Sequence, residues 1–257
     1  MSHKGRHRLP ASQPGPLLRR SFLFGSGVLA AGTAVGMVSA FEAARSSPRR
    51  SATAGRAAAR TSSRQAQSRA ARLAPRVYST KEWGAREPER ELRVVSGPPR
   101  YLVVHHTFTD NVTDLSAARG FRLSRAIQNH HMNRGWGDSG QHFTISRGGF
   151  VMEGRTGSLD ATLRGGYVVG THVRGANDYT VGIECEGTYN TVLPPRQLMA
   201  SLVRTCAWLC TRYDLDPREV IVPHKKFNGT ACCGHRWAPT LPSLRTAVAK
   251  MISRQKD

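Results

Sequence analysis

The chain has 257 residues, enough for one ordinary domain with accessory segments or for two small domains. Residues 1–76 hold fourteen of the 38 Lys and Arg residues but only one of the 17 acidic residues, so much of the net charge of +21 lies there. The rest of the chain is only moderately basic, so the extreme charge belongs mainly to the N-terminal segment.

Residues 1–40 have the features of an export signal. Arg19-Arg20-Ser21-Phe22-Leu23 precedes a mildly apolar stretch rich in Gly and Ala, which resembles a twin-arginine signal. Val38-Ser39-Ala40 offers small residues for cleavage. An uncleaved anchor is the alternative, because a run of about 20 apolar residues is near the minimum for spanning a bilayer. Both alternatives predict a secreted or cell-wall-associated protein.

Residues 41–76 contain little besides Ala, Arg and Ser, with nine arginines between Arg45 and Arg76. Such a segment buries too little apolar surface to fold, so we expect a disordered linker. Its charge would favour anionic wall polymers or lipid headgroups. Export argues against nucleic acid as the partner.

From residue 77 onward the pattern predicts alternating strands and helices. A buried strand is expected at 101–106, a helix at 115–134, a hairpin at 142–146 and 150–153, a strand at 180–186, a helix at 195–213, a short strand at 219–222 and a closing helix at 241–253. The mixture predicts one mixed α/β domain over residues 77–257, with a central mixed β-sheet flanked by helices. We expect it to be monomeric.

The five cysteines are an odd number for an exported protein, so at least one thiol should lie outside intramolecular disulfides. A zinc thiolate at Cys232 would account for it. Cys206 and Cys210 are either bridged to Cys185 or buried as small apolar groups, and both interpretations stay open. A bridge between Cys206 and Cys210 is disfavoured because they lie one helical turn apart.

Two histidines and one cysteine form a candidate metal site. His105 ends one predicted strand and His224 ends another, and strand ends are where open sheets present ligand-binding groups. Cys232 follows in a loop that contains Gly229 and can fold back toward them. Three protein ligands leave one position of a tetrahedral zinc open, which is typical of catalytic rather than structural zinc.

Strand alternation puts Gly182, Glu184 and Glu186 on one face, opposite Val181, Ile183 and Cys185. Two glutamate side chains on one face of a strand must lie in water or in a cleft. Of the two, Glu184 is the preferred candidate for a general base. Simple packing roles are expected for most other histidines and for Trp136.

Five short motifs resemble those of a known family, in the right order. They are Val103-Val104-His105-His106-Thr107, Gly135-Trp136-Gly137-Asp138-Ser139-Gly140-Gln141-His142-Phe143, Glu153-Gly154-Arg155, Val181-Gly182-Ile183-Glu184, and His224 with Thr230 and Cys232. Together they resemble the zinc-dependent N-acetylmuramoyl-L-alanine amidases of the type-2 group, which are related to peptidoglycan recognition proteins. The resemblance covers about residues 78–250. It implies a peptidoglycan or muropeptide substrate, cleaved between the lactyl group of N-acetylmuramic acid and L-alanine.

The resemblance also implies site residues. His105, His224 and Cys232 match the Zn²⁺ ligands, and Thr230 matches a residue near the developing oxyanion. Gln141 stands where many relatives have a Tyr, and Glu184 matches a Glu that some branches use instead. His172 matches a cleft-lining position and, with Gln141, is a candidate substrate-binding residue. Asn177 is expected to order its loop or to contact substrate. Cys233 stands where Pro is usual, and the spacing from His224 favours Cys232 as the ligand.

Two other functions compete with an amidase. A peptidoglycan-binding module of the same fold would bind without turnover, but such modules typically lack the metal cysteine that this chain keeps. A zinc nucleobase deaminase requires His-x-Glu followed by Cys-x-x-Cys, and neither pattern is present.

Overall fold

A computed structural model describes residues 65–255. The predicted export signal, its cleavage site and most of the basic linker lie outside these residues. Within 65–255, every helix is too short or too polar to cross a bilayer.

A six-stranded sheet forms the centre of the domain. Its strands, with a separate pair, are β1 Val77–Tyr78, β2 Val94–Val95, β3 Tyr101–His106, β4 Phe143–Ile145, β5 Val151–Glu153, β6 Tyr167–Val168, β7 Thr180–Cys185 and β8 Ile221–Pro223. The order in the main sheet is β1-β5-β4-β7-β3-β8, and β2 pairs with β6. Only the β4–β5 hairpin is antiparallel within the main sheet. The prediction of a mixed sheet flanked by helices is confirmed.

Helices cover both faces of this sheet. They are α1 at residues 65–73, α2 Thr80–Trp83, α3 Ala117–Asn133, α4 Ser158–Leu163, α5 Arg196–Tyr213, α6 Pro217–Val220 and α7 Leu241–Ser253. Helix α3 is capped by Ser116, whose side chain accepts a hydrogen bond from the Arg119 amide. Helix α5 follows Pro195, where a missing N–H costs nothing.

The main core lies between the sheet and helices α5 and α7. Alternate strand residues, such as Leu102 and Val104 of β3 and Ile183 of β7, point toward this side and are fully buried. Phe143 of β4 meets Trp208 of α5 edge to face, with ring centroids 5.7 Å apart. The chemistry-bearing residues of the strands therefore face the opposite side.

Helix α1 corrects the predicted boundary of the basic linker. We expected disorder through residue 76, but residues 65–73 are helical, and Ala70 and Leu73 are each only 2% exposed in the main core. Two apolar side chains one turn apart form a buried stripe despite the surrounding arginines. The folded domain therefore begins before residue 77.

The predicted strand at 219–222 is also corrected. Pro217–Val220 is a short helix capped by Asp216, and the strand runs from Ile221 to Pro223. Pro217 occupies the first helical turn, where its fixed φ is favourable. All five cysteines are buried free thiols, so the structure holds no bridge between Cys185 and the α5 cysteines.

Candidate active site

One row of residues crosses four strands on the face opposite the main core. Met152 of β5 lies beside Thr144 of β4, Thr144 beside Glu184 of β7, and Glu184 beside His105 of β3. Register partners project to the same face of a sheet. Helix α3 covers the Met152 end of the row, where a Cβ on Gly120 would come within 3.1 Å of the methionine methyl. The His105 end is left open as a cleft.

Three predicted metal ligands meet in this cleft. One ligand atom from each of His105, His224 and Cys232 lies within 4.8 Å of the others. His105 is near the end of β3, and His224 directly follows β8, which pairs with β3 in parallel. The carboxyl ends of parallel strands meet at one edge of a sheet, as the sequence predicted. Cys232 arrives from the following loop, and its sulfur is 3.7 Å from His105 Nδ1.

The local chemistry of the cluster fits a zinc ion. Burial lowers the pKa of His105 and of His224, which keeps the imidazoles in the neutral, metal-binding form. The His106 amide donates to Cys232 Sγ at 3.4 Å, a contact that favours a thiolate. In the absence of a cation, burial raises the pKa of the Cys232 thiol. Cys233 is 0% exposed and packs in the main core, outside the cluster.

In each of the two candidate ligand histidines, one ring nitrogen already has a hydrogen-bond partner within the protein. His224 Nε2 lies 3.0 Å from Asn228 Oδ1, and His105 Nε2 lies 3.0 Å from His172 Nδ1. Metal-binding histidines usually donate their other N–H to such a partner, which fixes ring orientation and tautomer. This arrangement leaves the Nδ1 atom of each ring for a metal.

Glu184 and Glu186 have different surroundings although they share a face. The Glu184 carboxyl group lines the cleft, and burial raises its pKa to about 7. Glu186 is 0% exposed; it accepts hydrogen bonds from Arg119 Nε and the Arg147 amide, both at 2.9 Å. Only Glu184 is therefore placed to meet a molecule in the cleft.

The cleft has a volume of about 460 Å³. Its lining comprises the three candidate ligands with His106, Phe108, His131, Trp136, His172, Glu184, Thr230 and Ala231. Thr230 is exposed at the rim, and its Oγ1 accepts a hydrogen bond from the Cys232 amide at 3.2 Å. The structure thus brings together the predicted ligands, Glu184, Thr230 and His172.

Two predicted substrate-binding residues lie elsewhere. Gln141 is 1% exposed, and its amide donates to Thr144 Oγ1 beneath the sheet surface, so it does not line the cleft. Asn177 is outside the lining as well; its Oδ1 accepts from the amides of His172 and Val173. Asn177 therefore orders the loop, which was one of its two expected roles. Substrate contact by either residue is not supported.

Several cleft residues were missed or underrated from the sequence. Trp136 is half-buried in the cleft wall, stacked against His131 at 4.5 Å and beneath the Arg134 guanidinium at 4.7 Å. His131 Nδ1 also accepts the Gly140 amide, so this histidine holds the loop that carries Trp136. Asn228, which lies outside the cleft lining but contacts His224, was not predicted, although its spacing of four residues from His224 was a usable signal.

Comparison with known proteins agrees with this geometry. Residues 95–239 match the family model Amidase_2, described as N-acetylmuramoyl-L-alanine amidase. The chain belongs to this family. The matched region contains the whole candidate cluster together with Glu184 and Thr230.

Relatives of this amidase family come from animals and bacteria. Peptidoglycan-recognition protein LB of Drosophila melanogaster is 31% identical over 162 residues, 63% of this chain and 65% of the relative. The human N-acetylmuramoyl-L-alanine amidase is 27% identical over 190 residues, which span 70% of this chain but only 31% of the human protein. The chain thus spans less than two thirds of either relative.

Solved structures share the fold. Drosophila PGRP-LB superimposes with a TM-score of 0.57 at 30% identity, covering 65% of this chain and 93% of that one. A Y78F mutant of the same protein was solved in complex with tracheal cytotoxin. The amidase LysC from Clostridium intestinale gives a TM-score of 0.52 at 25% identity, with 69% and 98% coverage.

Proposed function

We propose that this protein is a zinc-dependent N-acetylmuramoyl-L-alanine amidase. It would hydrolyse the amide that joins the lactyl group of N-acetylmuramic acid to L-alanine in peptidoglycan. The observation that carries the proposal is the cluster of His105, His224 and Cys232 within 4.8 Å, open to a cleft that also holds Glu184. Membership of the amidase family supports the same reaction.

The donor set supports zinc as the metal. Two neutral imidazoles and one thiolate are typical zinc ligands, and three protein ligands leave a coordination position for water or substrate. A zinc ion held by these residues would supply Lewis-acid polarisation of the carbonyl and acidification of water.

Glu184 is proposed as the general base and then the general acid. Its carboxyl pKa of about 7 makes proton uptake and release both accessible near neutral pH. Its carboxylate oxygen would take a proton from the attacking water and hand that proton to the leaving amide nitrogen. Glu184 and His105 are register partners on adjacent strands, so base and ligand cluster are held by the same sheet.

Thr230 is proposed to stabilise the oxyanion. Its Oγ1 already accepts the Cys232 amide, which orients the hydroxyl while leaving its own hydrogen free to donate. A fixed donor facing the developing negative charge lowers the barrier in this class of reaction.

The comparison proteins support a peptidoglycan-derived substrate. The relative named peptidoglycan-recognition protein LB is similar over most of the folded domain, and its mutant binds tracheal cytotoxin. A cleft of about 460 Å³ falls in the range that accommodates small ligands, so it suits one part of a muropeptide at a time.

The proposal is tested with the full chain and purified peptidoglycan. Wild type should release stem peptides with new L-alanine N-termini, measured by amine labelling and mass spectrometry. Cys232→Ser should abolish release and zinc binding, whereas Cys233→Ser, with its fold checked by circular dichroism, should retain both. Loss of zinc in Cys233→Ser alone would move the ligand by one residue.

A binding measurement beside the release assay distinguishes an amidase from a non-catalytic binding module. Cosedimentation with insoluble peptidoglycan reports binding without turnover. Wild-type protein that cosediments but releases no stem peptide, with zinc present, would reject hydrolysis and favour a non-catalytic recognition module.

We also propose that residues 1–40 direct twin-arginine export. The basis is the Arg19-Arg20-Ser21-Phe22-Leu23 pattern before a mildly apolar stretch. Replacing both arginines, Arg19→Lys with Arg20→Lys, should trap the full chain in the cytoplasm. Cell fractionation measures the export. Unchanged export of the double variant would reject the assignment.

A further inference from the structure

Four hydrogen-bonding groups form a chain that ends at the candidate ligand His105. Thr180 Oγ1 donates to the Ala176 carbonyl at 2.8 Å and lies 3.3 Å from His172 Nε2. His172 Nδ1 in turn lies 3.0 Å from His105 Nε2, with the two rings nearly perpendicular. The chain runs from a loop carbonyl through two buried or half-buried side chains to the cluster.

The donor and acceptor roles along this hydrogen-bond chain can be assigned from its Ala176 end. Thr180 has one hydroxyl hydrogen, and the Ala176 carbonyl takes it, so Thr180 Oγ1 accepts from the Nε2–H of His172. A neutral imidazole carries one N–H, so His172 Nδ1 is an acceptor and receives the Nε2–H of His105. His105 Nδ1 then has a free lone pair on the side of the Cys232 sulfur.

Two glycines hold the His172 ring in this position. A Cβ at Gly182 would lie 2.6 Å from His172 Nδ1, and one at Gly170 would lie 2.7 Å from Cδ2, both closer than real contacts allow. The ring therefore sits on bare backbone of β7, which explains a glycine in the middle of a buried strand. The backbone amide of His172 is fixed separately by Asn177 Oδ1 at 2.8 Å.

We propose that His172, oriented by Thr180 and seated on Gly182, is a positioning residue for His105. It fixes His105 as the Nε2–H tautomer and aims Nδ1 at the metal position, as Asn228 does for His224. This inference rests on the proposed zinc site. Both ring nitrogens of His172 are engaged within the protein, and substrate contact by this residue stays a prediction.

Zinc affinity of the full chain, measured by competition with a chromophoric chelator, tests the proposal. His172→Leu removes the acceptor for His105 and should weaken zinc binding by about 10–100-fold, the usual effect of losing such a partner. His172→Asn can offer an amide oxygen near the former Nδ1 and should retain most of the affinity. Equal affinities in His172→Leu and wild type would overturn the proposal.

A pair of threonine variants tests the Thr180 end of the hydrogen-bond chain without changing a histidine ring. Thr180→Val should weaken zinc binding in the same direction as His172→Leu. Thr205→Val is the matched control, since Thr205 is also 0% exposed and donates to a carbonyl four residues earlier, Ser201, but lies on α5. Equal losses in both variants would mean a general effect on folding and overturn the assignment of Thr180.

Nitrogen-15 NMR of the metal-free full chain separates this inference from the proposed function. The inference expects His105 as the Nε2–H tautomer in wild type and as a mixture in His172→Leu. Wild type that binds no zinc but shows the fixed tautomer would reject the proposed function and keep the positioning. Wild type that binds zinc, but with mixed tautomers of His105 before metal addition, would reject the positioning alone.

Discussion

Glu184, half-buried at the cleft, differs in its surroundings from the buried Glu153 and Glu186 nearby. Glu186 is neutralised by Arg119, and Glu153 accepts the amides of Thr80 and Leu159 at 3.2 and 2.9 Å. Within residues 65–255, no hydrogen bond or ion pair is formed by the Glu184 carboxyl group. An uncommitted carboxyl group in a cleft is free to exchange a proton with a bound molecule.

The substitution Glu184→Gln therefore should remove turnover while keeping metal and fold. The amide preserves the volume but accepts no proton, so kcat should fall by about 10²–10⁴-fold, the usual contribution of a general base. Zinc content and the circular dichroism spectrum should not change. Release of stem peptides is the readout.

Glu219→Gln is the control, because Glu219 is exposed and the chemical change is the same. Glu186→Gln is a poor control, since it would break a buried ion pair. Full activity in Glu184→Gln would show that the reaction proceeds without this carboxylate.

Residue type and order were enough to predict that His105, His224, Cys232, Glu184 and Thr230 meet at one site, because metal binding and proton transfer admit few side chains. The side-chain contacts that build the rest of the cleft wall were harder to predict. His131 and Trp136 meet only because the Gly135–Gly140 loop folds back on α3, and no local pattern encodes that contact. Gln141 was misjudged for a related reason: it lies in the loop before β4, and its side-chain amide donates to Thr144 Oγ1 away from the cleft.

At the scale of elements, boundaries followed local signals closely. The closing helix was predicted at 241–253 and is found there. Helix α3 differs from prediction by two residues at its start and one at its end, and α5 by one residue at its start only. Helix α1 was missed because an Arg- and Ala-rich composition outweighed a stripe of only two apolar residues. Tertiary packing, not composition, decides the state of that segment.

Leu73→Ala tests whether α1 belongs to the folded domain. Leu73 is 2% exposed in the main core, so truncation should lower the free energy of unfolding by about 2–5 kcal/mol. Leu163→Ala on α4 is the matched control; its side chain is 56% exposed, and the expected change is within about 0.5 kcal/mol. Urea unfolding measures both. Equally small changes in the free energy of unfolding of both variants would show that α1 is part of the linker and not of the folded domain.

At the scale of the whole molecule, buried neutral histidines make stability depend on pH. His142 is 1% exposed, accepts the Gly182 amide at Nδ1 and donates from Nε2 to the Val168 carbonyl. Burial, with a smaller contribution from Arg155, lowers its pKa from 6.5 to about 4, although the Val168 bond opposes this shift. The native state therefore binds fewer protons than the unfolded state between these values.

The stability contributed by His142 is fully present above pH 6.5 and is lost as pH falls toward 4. One such group changes the free energy of unfolding by at most about 1.4 kcal/mol per pH unit. His142→Gln should therefore show a shallower fall in urea midpoint between pH 7 and 5 than wild type. The exposed His130→Gln should match the wild-type slope, and an unchanged slope in His142→Gln would contradict the assignment.

The ligand cluster joins parts of the chain that are far apart in sequence, since His105 and Cys232 are separated by 127 residues. A metal bound to both would act on the unfolded chain as a cross-link. For a loop of this length, the chain-entropy description of cross-links gives about 5 kcal/mol at 25 °C. Zinc held for catalysis would therefore also restrain the domain against unfolding, and a chelator would remove both the activity and this restraint.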